Sequence, residues 1–169
     1  SNGVPNVAVH DMVIQPEAKH LLLGTHGRSI YKADISTLQK MNTDMMSTPI
    51  TFFDINSVRH SSRWGSAFSQ WSDAFEPEIT ISFFSNSSGQ KTIKILSEKG
   101  AELSTISINA DKGFNYVNSN LELTEKGKKA LMKEDSNLEF KETGNKKTYL
   151  PKGKYTIQID KSKTILKIE

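Results

Sequence analysis

The two tryptophans of the chain, Trp64 and Trp71, stand seven residues apart, and Phe68 and Phe75 repeat that interval, with Arg59 and Arg63 just ahead. Exposed rings with guanidinium groups beside them can stack on sugar faces. A sevenfold spacing on a helical turn would bring each pair to one side. The same rings could instead cover the end of a β-sandwich or fasten it to a neighbour, because large aromatics are costly to expose. Arg63, Trp64, Phe68 and Trp71 are therefore the candidate ligand or interdomain-contact residues. Their bulk favours the covering role.

Other chemistry finds less support. His10 and Asp11 are adjacent on an alternating segment, which sends their side chains to opposite faces and away from a catalytic pair. His20 and His26 flank one short strand too far apart to share a metal, and the helical His-Glu-x-x-His pattern is absent. Asp34, Asp54, Asp73, Glu76 and Glu78, with Asp11 further off, are the acids available for glycoside hydrolysis, but none sits in a motif. There is no nucleophile elbow and no phosphate loop. With no cysteine among 169 residues, thiol nucleophiles, disulfide scaffolds and Cys-based zinc sites are excluded. The residues name no catalytic group, no cofactor site and no metal site.

The elements that would carry these residues are mostly strands. Val7–Ile14 alternates and ends at Gln15-Pro16. His20–Gly24 is an apolar run suited to a strand buried on both faces. Thr25-His26-Gly27-Arg28 turns the chain into Ser29–Ala33. These make a three-stranded meander over residues 1–35, too small for a core of its own. Residues 36–77 read as a linker and aromatic loop, with Ser36 capping a turn of helix through Leu38–Met41 and a short strand at Ile50–Ile55. From residue 78 to 169 the pattern becomes regular. Glu78–Phe84, Lys91–Leu96, Glu102–Ile108, Gly113–Asn118, Lys154–Ile159 and Thr164–Ile168 are strands joined by turn residues. Thr124 caps one lysine-rich helix, which Gly127 weakens. The expected fold is mainly β: a partial propeller blade followed by an immunoglobulin-like β-sandwich with a short helical insertion.

The net charge of +3 comes from residues 121–169, where 12 basic side chains meet 8 acidic ones. These lysines are scattered among glutamates without arginines or aromatics to organise them, which describes a solvated surface and not a nucleic-acid site. No apolar run is long enough for a membrane span.

Two stretches resemble a known family. Asn6-Val7-Ala8-Val9-His10-Asp11-Met12-Val13-Ile14-Gln15-Pro16 and Leu22-Leu23-Gly24-Thr25-His26-Gly27-Arg28-Ser29-Ile30-Tyr31 resemble the last blade of sortilin-like BNR-repeat β-propellers, large bacterial proteins often labelled glycosyl hydrolases. Arg63-Trp64-Gly65, Glu76-Pro77-Glu78-Ile79, Thr92–Leu96, Ala110-Asp111-Lys112-Gly113-Phe114-Asn115 and Tyr149–Thr156 resemble the region after that propeller, an Ig-like module of the flagellar-hook-capping type. The Ser-x-Asp-x-Gly-x-Thr-Trp repeat signature is absent, and no family catalytic residue maps onto the chain.

The resemblance implies a non-catalytic C-terminal piece of a secreted or periplasmic parent, with Ser1-Asn2 a foreign remnant. In it the meander closes the propeller and the sandwich caps or spaces it. Its partners would be the remaining blades. Without them Val7, Val9, Leu21, Leu22, Leu23 and Ile30 would need cover from the sandwich or from a second copy in a homodimer. The alternatives are a carbohydrate-binding module using the aromatic segment, or part of a glycoside hydrolase whose catalytic residues lie elsewhere.

Overall fold

The computed structural model describes residues 6–27, 29–140 and 143–169, so Ser1-Asn2 and Arg28 of the expected turn lie outside it. Among the described residues strands make up 45% and helices 12%, so the fold is mainly β with several antiparallel sheets. It divides into two units, Ser1–Thr43 and Asp44–Glu169.

In the first unit, β1 (Val9–Gln15), β2 (His20–Thr25) and β3 (Ile30–Asp34) form an antiparallel sheet in sequence order. Met12 faces Leu23 and Val13 faces Leu22, and on the other side Leu22 faces Lys32. A register shift between Val9 and Asp11 interrupts the first pairing. None of these strand residues is buried. All of β1 is exposed, and β2, expected to be enclosed on both faces, is only half-buried. Three strands have too little apolar area to enclose one another. The short helix α1 (Ser36–Gln39) follows, and here the expected cap is corrected. Ser36 lies inside the helix, after Ile35 at the cap position, and the Asp34 carboxylate accepts the Ser36 backbone N–H at 2.8 Å. The hydrogen bonds from Ser36 hold the Asp34 pKa below its ordinary value.

The second unit starts earlier than the expected sandwich. α2 (Thr43–Ser47), β4 (Ile50–Phe52) and a small hairpin of β5 (Ser66–Ala67) and β6 (Ala74–Phe75) occupy the stretch read as linker. Then come β7 (Ile79–Ser85), β8 (Gly89–Leu96), β9 (Glu102–Ala110), β10 (Gly113–Ser119), α3 (Glu125–Glu134), β11 (Gly153–Ile159) and β12 (Ser162–Ile168). One sheet has the order β10-β7-β4, and the other has β12-β11-β8-β9. Alternation decides what each strand buries: Ile79, Ile81 and Phe83 turn inward from β7, while Thr80 stays exposed. Ile93 and Ile95 from β8, Ile157 and Ile159 from β11 and Leu166 from β12 join Ile81 and Phe83 in one continuous core. Each such side chain contributes roughly 1.5–3 kcal/mol by leaving water. Ile50 and Trp64 belong to the same core, so the expected linker boundary at residue 77 does not hold.

The helix α3 forms as its cap predicts. Thr124 is extended, its Oγ1 accepts the Gly127 backbone N–H at 3.0 Å, and the same hydroxyl donates to the Leu103 carbonyl at 2.9 Å. Glu125 in the first turn and Lys133 in the last complement the helix dipole. Gly127, which the sequence marks only as a weak point, is buried against β9. A Cβ there would overlap the Leu103 backbone.

Candidate functional site

The aromatic segment is a β-hairpin and not a helical turn, so the sevenfold spacing does not group the rings. β5 pairs with β6 through Ser66 opposite Phe75 and Ala67 opposite Ala74. Alternation and the intervening turn then separate the four candidates. Trp64 is only 4% exposed and belongs to the core, whereas Phe68 is 100% and Trp71 88% exposed beyond the paired residues. Phe75 is 51% exposed, with the Arg63 guanidinium 5.8 Å from its ring centre.

Trp64 fixes the base of the hairpin. Its ring lies 4.7 Å from that of His60 and meets Tyr149 edge-on at 6.1 Å. Partial burial, and then the Lys152 charge, push the His60 pKa down. Gly65 has φ of +77°, donates its N–H to the Phe75 carbonyl at 2.7 Å and accepts the Asn145 backbone N–H at 3.0 Å. A side chain at Gly65 would run into Thr143. Only glycine satisfies both the left-handed backbone and that contact.

Below the hairpin lies a network centred on Glu76. Its carboxylate accepts from Asn120 at 2.9 Å, Asn145 at 2.8 Å and Lys147 at 2.9 Å, and Lys147 also pairs with Glu122 at 3.4 Å. The second Asn145 amide hydrogen bond reaches the Tyr149 hydroxyl at 2.7 Å, linking this network to the Trp64 cluster. Hydrogen bonds from Asn120 and then Lys147 hold the Glu76 pKa below its ordinary value. A carboxylate stabilised as an anion contributes stability above its unfolded pKa, and that contribution is lost as pH falls through the lower folded pKa. Urea melts of the wild type and Glu76→Gln are therefore expected to differ at pH 7 and to converge in acid, once the pH has fallen below the lowered folded pKa of Glu76.

Several of the remaining acids and histidines have local partners of their own. Glu78 accepts from Asn118 at 2.7 Å, and Asp11 accepts the Met12 N–H at 2.8 Å. Beside the register shift in β1, the His10 and His26 rings come within 5.0 Å of each other. Sequence reading missed that juxtaposition because only the pairing of β1 with β2 creates it. Among the described residues, no three His, Asp or Glu side chains converge on a metal position. No helix among them is long and apolar enough to cross a membrane.

The arrangement defines a mainly β protein with a buried Trp64 anchor and a hairpin that presents Phe68 and Trp71. No family profile matches the chain, and neither curated proteins nor solved structures include a match to it.

Proposed function

We propose that the chain is a non-catalytic C-terminal accessory module of a larger secreted or periplasmic BNR-type propeller protein, docking onto the other blades through β1–β3. The observation that carries this reading is the contrast between the two units. The second has a continuous core, whereas Met12 (64% exposed), Val13, Ile14 and Ile30 (75%) leave the β1–β3 sheet with apolar surface to cover. A propeller blade takes four strands, and β1–β3 supply three, so a neighbouring strand and blade would provide the missing cover.

The second unit fits an immunoglobulin-like cap or spacer. Its sheet orders, β4-β7-β10 and β12-β11-β8-β9, correspond to A-B-E and G-F-C-C′ of such sandwiches. At the start of β11 the Tyr155 hydroxyl donates to the Pro151 carbonyl at 2.7 Å, the arrangement of a tyrosine corner. Burial pushes the Tyr155 pKa up, keeping that donor protonated.

The test is association between this chain and the remainder of its parent polypeptide, produced separately. Saturable binding that Ile30→Asp and Val13→Asp each weaken by roughly tenfold or more supports docking, since a charge would be trapped against apolar surface. Binding indifferent to both substitutions, or a parent gene without preceding blades, contradicts it.

A further inference from the structure

We infer that Phe68 and Trp71 form a stacking platform for a neutral polysaccharide of pyranose units. The docking reading rests on β1–β3; this inference rests on the β5–β6 hairpin, and each can fail alone. Both rings are almost wholly exposed, although burying such side chains is favourable and Trp64 nearby is enclosed.

The turn that carries them is fixed by its own hydrogen bonds. The Ser69 N–H donates to Ser72 Oγ at 2.9 Å, the Trp71 N–H to Ser69 Oγ at 3.3 Å, and the Ser72 N–H to the Ser69 carbonyl at 3.2 Å. At its base, the Gly65–Phe75 and Asn145–Gly65 bonds and the buried Trp64 ring hold the hairpin to the core. Ordering has thus been paid in advance, which is how a small contact area gains affinity.

Charge and composition select the ligand. Residues 66–75 contain no lysine or arginine and one acid, Asp73, so the tip lacks the basic cluster that anionic lipids or acidic glycans need. Exposed Gln70 and Asp73 follow the two rings in sequence and supply amide and carboxylate groups. A pyranose matches this mixture, with a C–H face for a ring and rim hydroxyls for polar neighbours. An apolar protein contact would have to desolvate those polar groups without matching each one.

The experiment is affinity electrophoresis of the full chain in gels containing hydroxyethylcellulose, xylan or galactomannan. Polygalacturonate gels and anionic phospholipid vesicles serve as competing probes. Retardation by at least one neutral polysaccharide is expected, roughly tenfold weaker in Trp71→Ala and reduced in Phe68→Ala, as for the loss of one stacked ring. The thermal midpoint should be unchanged in both variants, which separates lost binding from lost folding. No retardation by any neutral polysaccharide, retardation that survives Trp71→Ala, or preference for polygalacturonate or vesicles overturns the inference.

Discussion

Trp64→Ala is expected to lower the free energy of unfolding by about 3–5 kcal/mol, while Trp71→Ala changes it by less than about 0.5 kcal/mol. Both substitutions delete the same indole, so the difference isolates burial. At position 64 the deletion leaves a cavity bounded by His60 and Tyr149 and removes the ring that anchors the β5–β6 hairpin. Close-packed neighbours collapse only partly into such a space, so the lost contacts are not recovered. At position 71 the ring is 88% exposed, and its removal takes little from the folded state that the unfolded state keeps. Urea unfolding followed by far-ultraviolet circular dichroism reads both variants without relying on tryptophan emission. Equal effects would mean that the two rings are not divided between core and surface.

Gly127→Ala should destabilise the chain, reversing the usual sign for a helix. In an exposed helix interior, replacing glycine by alanine gains about 1 kcal/mol from reduced backbone entropy. Here the added methyl would overlap the Leu103 backbone of β9, which has no side-chain torsion with which to yield. α3 would have to lift from β9, stretching the Thr124 hydrogen bond to the Leu103 carbonyl. Overpacking of this kind costs about 1–3 kcal/mol or more, enough to exceed the propensity gain. A lower thermal midpoint in Gly127→Ala, set beside Lys129→Ala as an exposed control, checks the sign. A raised midpoint would show that the helix and strand are not in backbone contact.

The strands were legible where one face is buried. Ile79-Thr80-Ile81-Ser82-Phe83 and Tyr155-Thr156-Ile157-Gln158-Ile159 alternate because water and core lie on opposite sides of each strand. Thr124 was legible as a cap because a hydroxyl before a helix meets a particular unpaired N–H. The hairpin at residues 66–75 was not, since two-residue strands carry too little periodicity to distinguish them from a loop. Its spacing suggested a helical face only because two intervals of seven coincided.

Membership of the core was also hidden for Ile50, and for Trp64 the bulk of the ring favoured a covering role without revealing its neighbours, which come from distant strands and loops. Gly127 illustrates the same limit. Its residue type signals a weak helix, whereas its use lies in an approach to β9 that becomes visible only in three dimensions. The Glu76 network joins residues 76, 120, 122, 145 and 147, a convergence no local motif encodes.

Amide hydrogen exchange of the chain, alone and with the proposed propeller blades produced separately, tests the docking account most directly. Alone, the amides of β1–β3 should exchange rapidly while those of β7, β8 and β11 stay protected, because only the latter lie over the core. On adding those proposed blades, protection should appear across residues 9–34 and leave the second unit unchanged. Protection of β1–β3 matching that of β7 in the isolated, monomeric chain, or no gain on addition, would contradict the account.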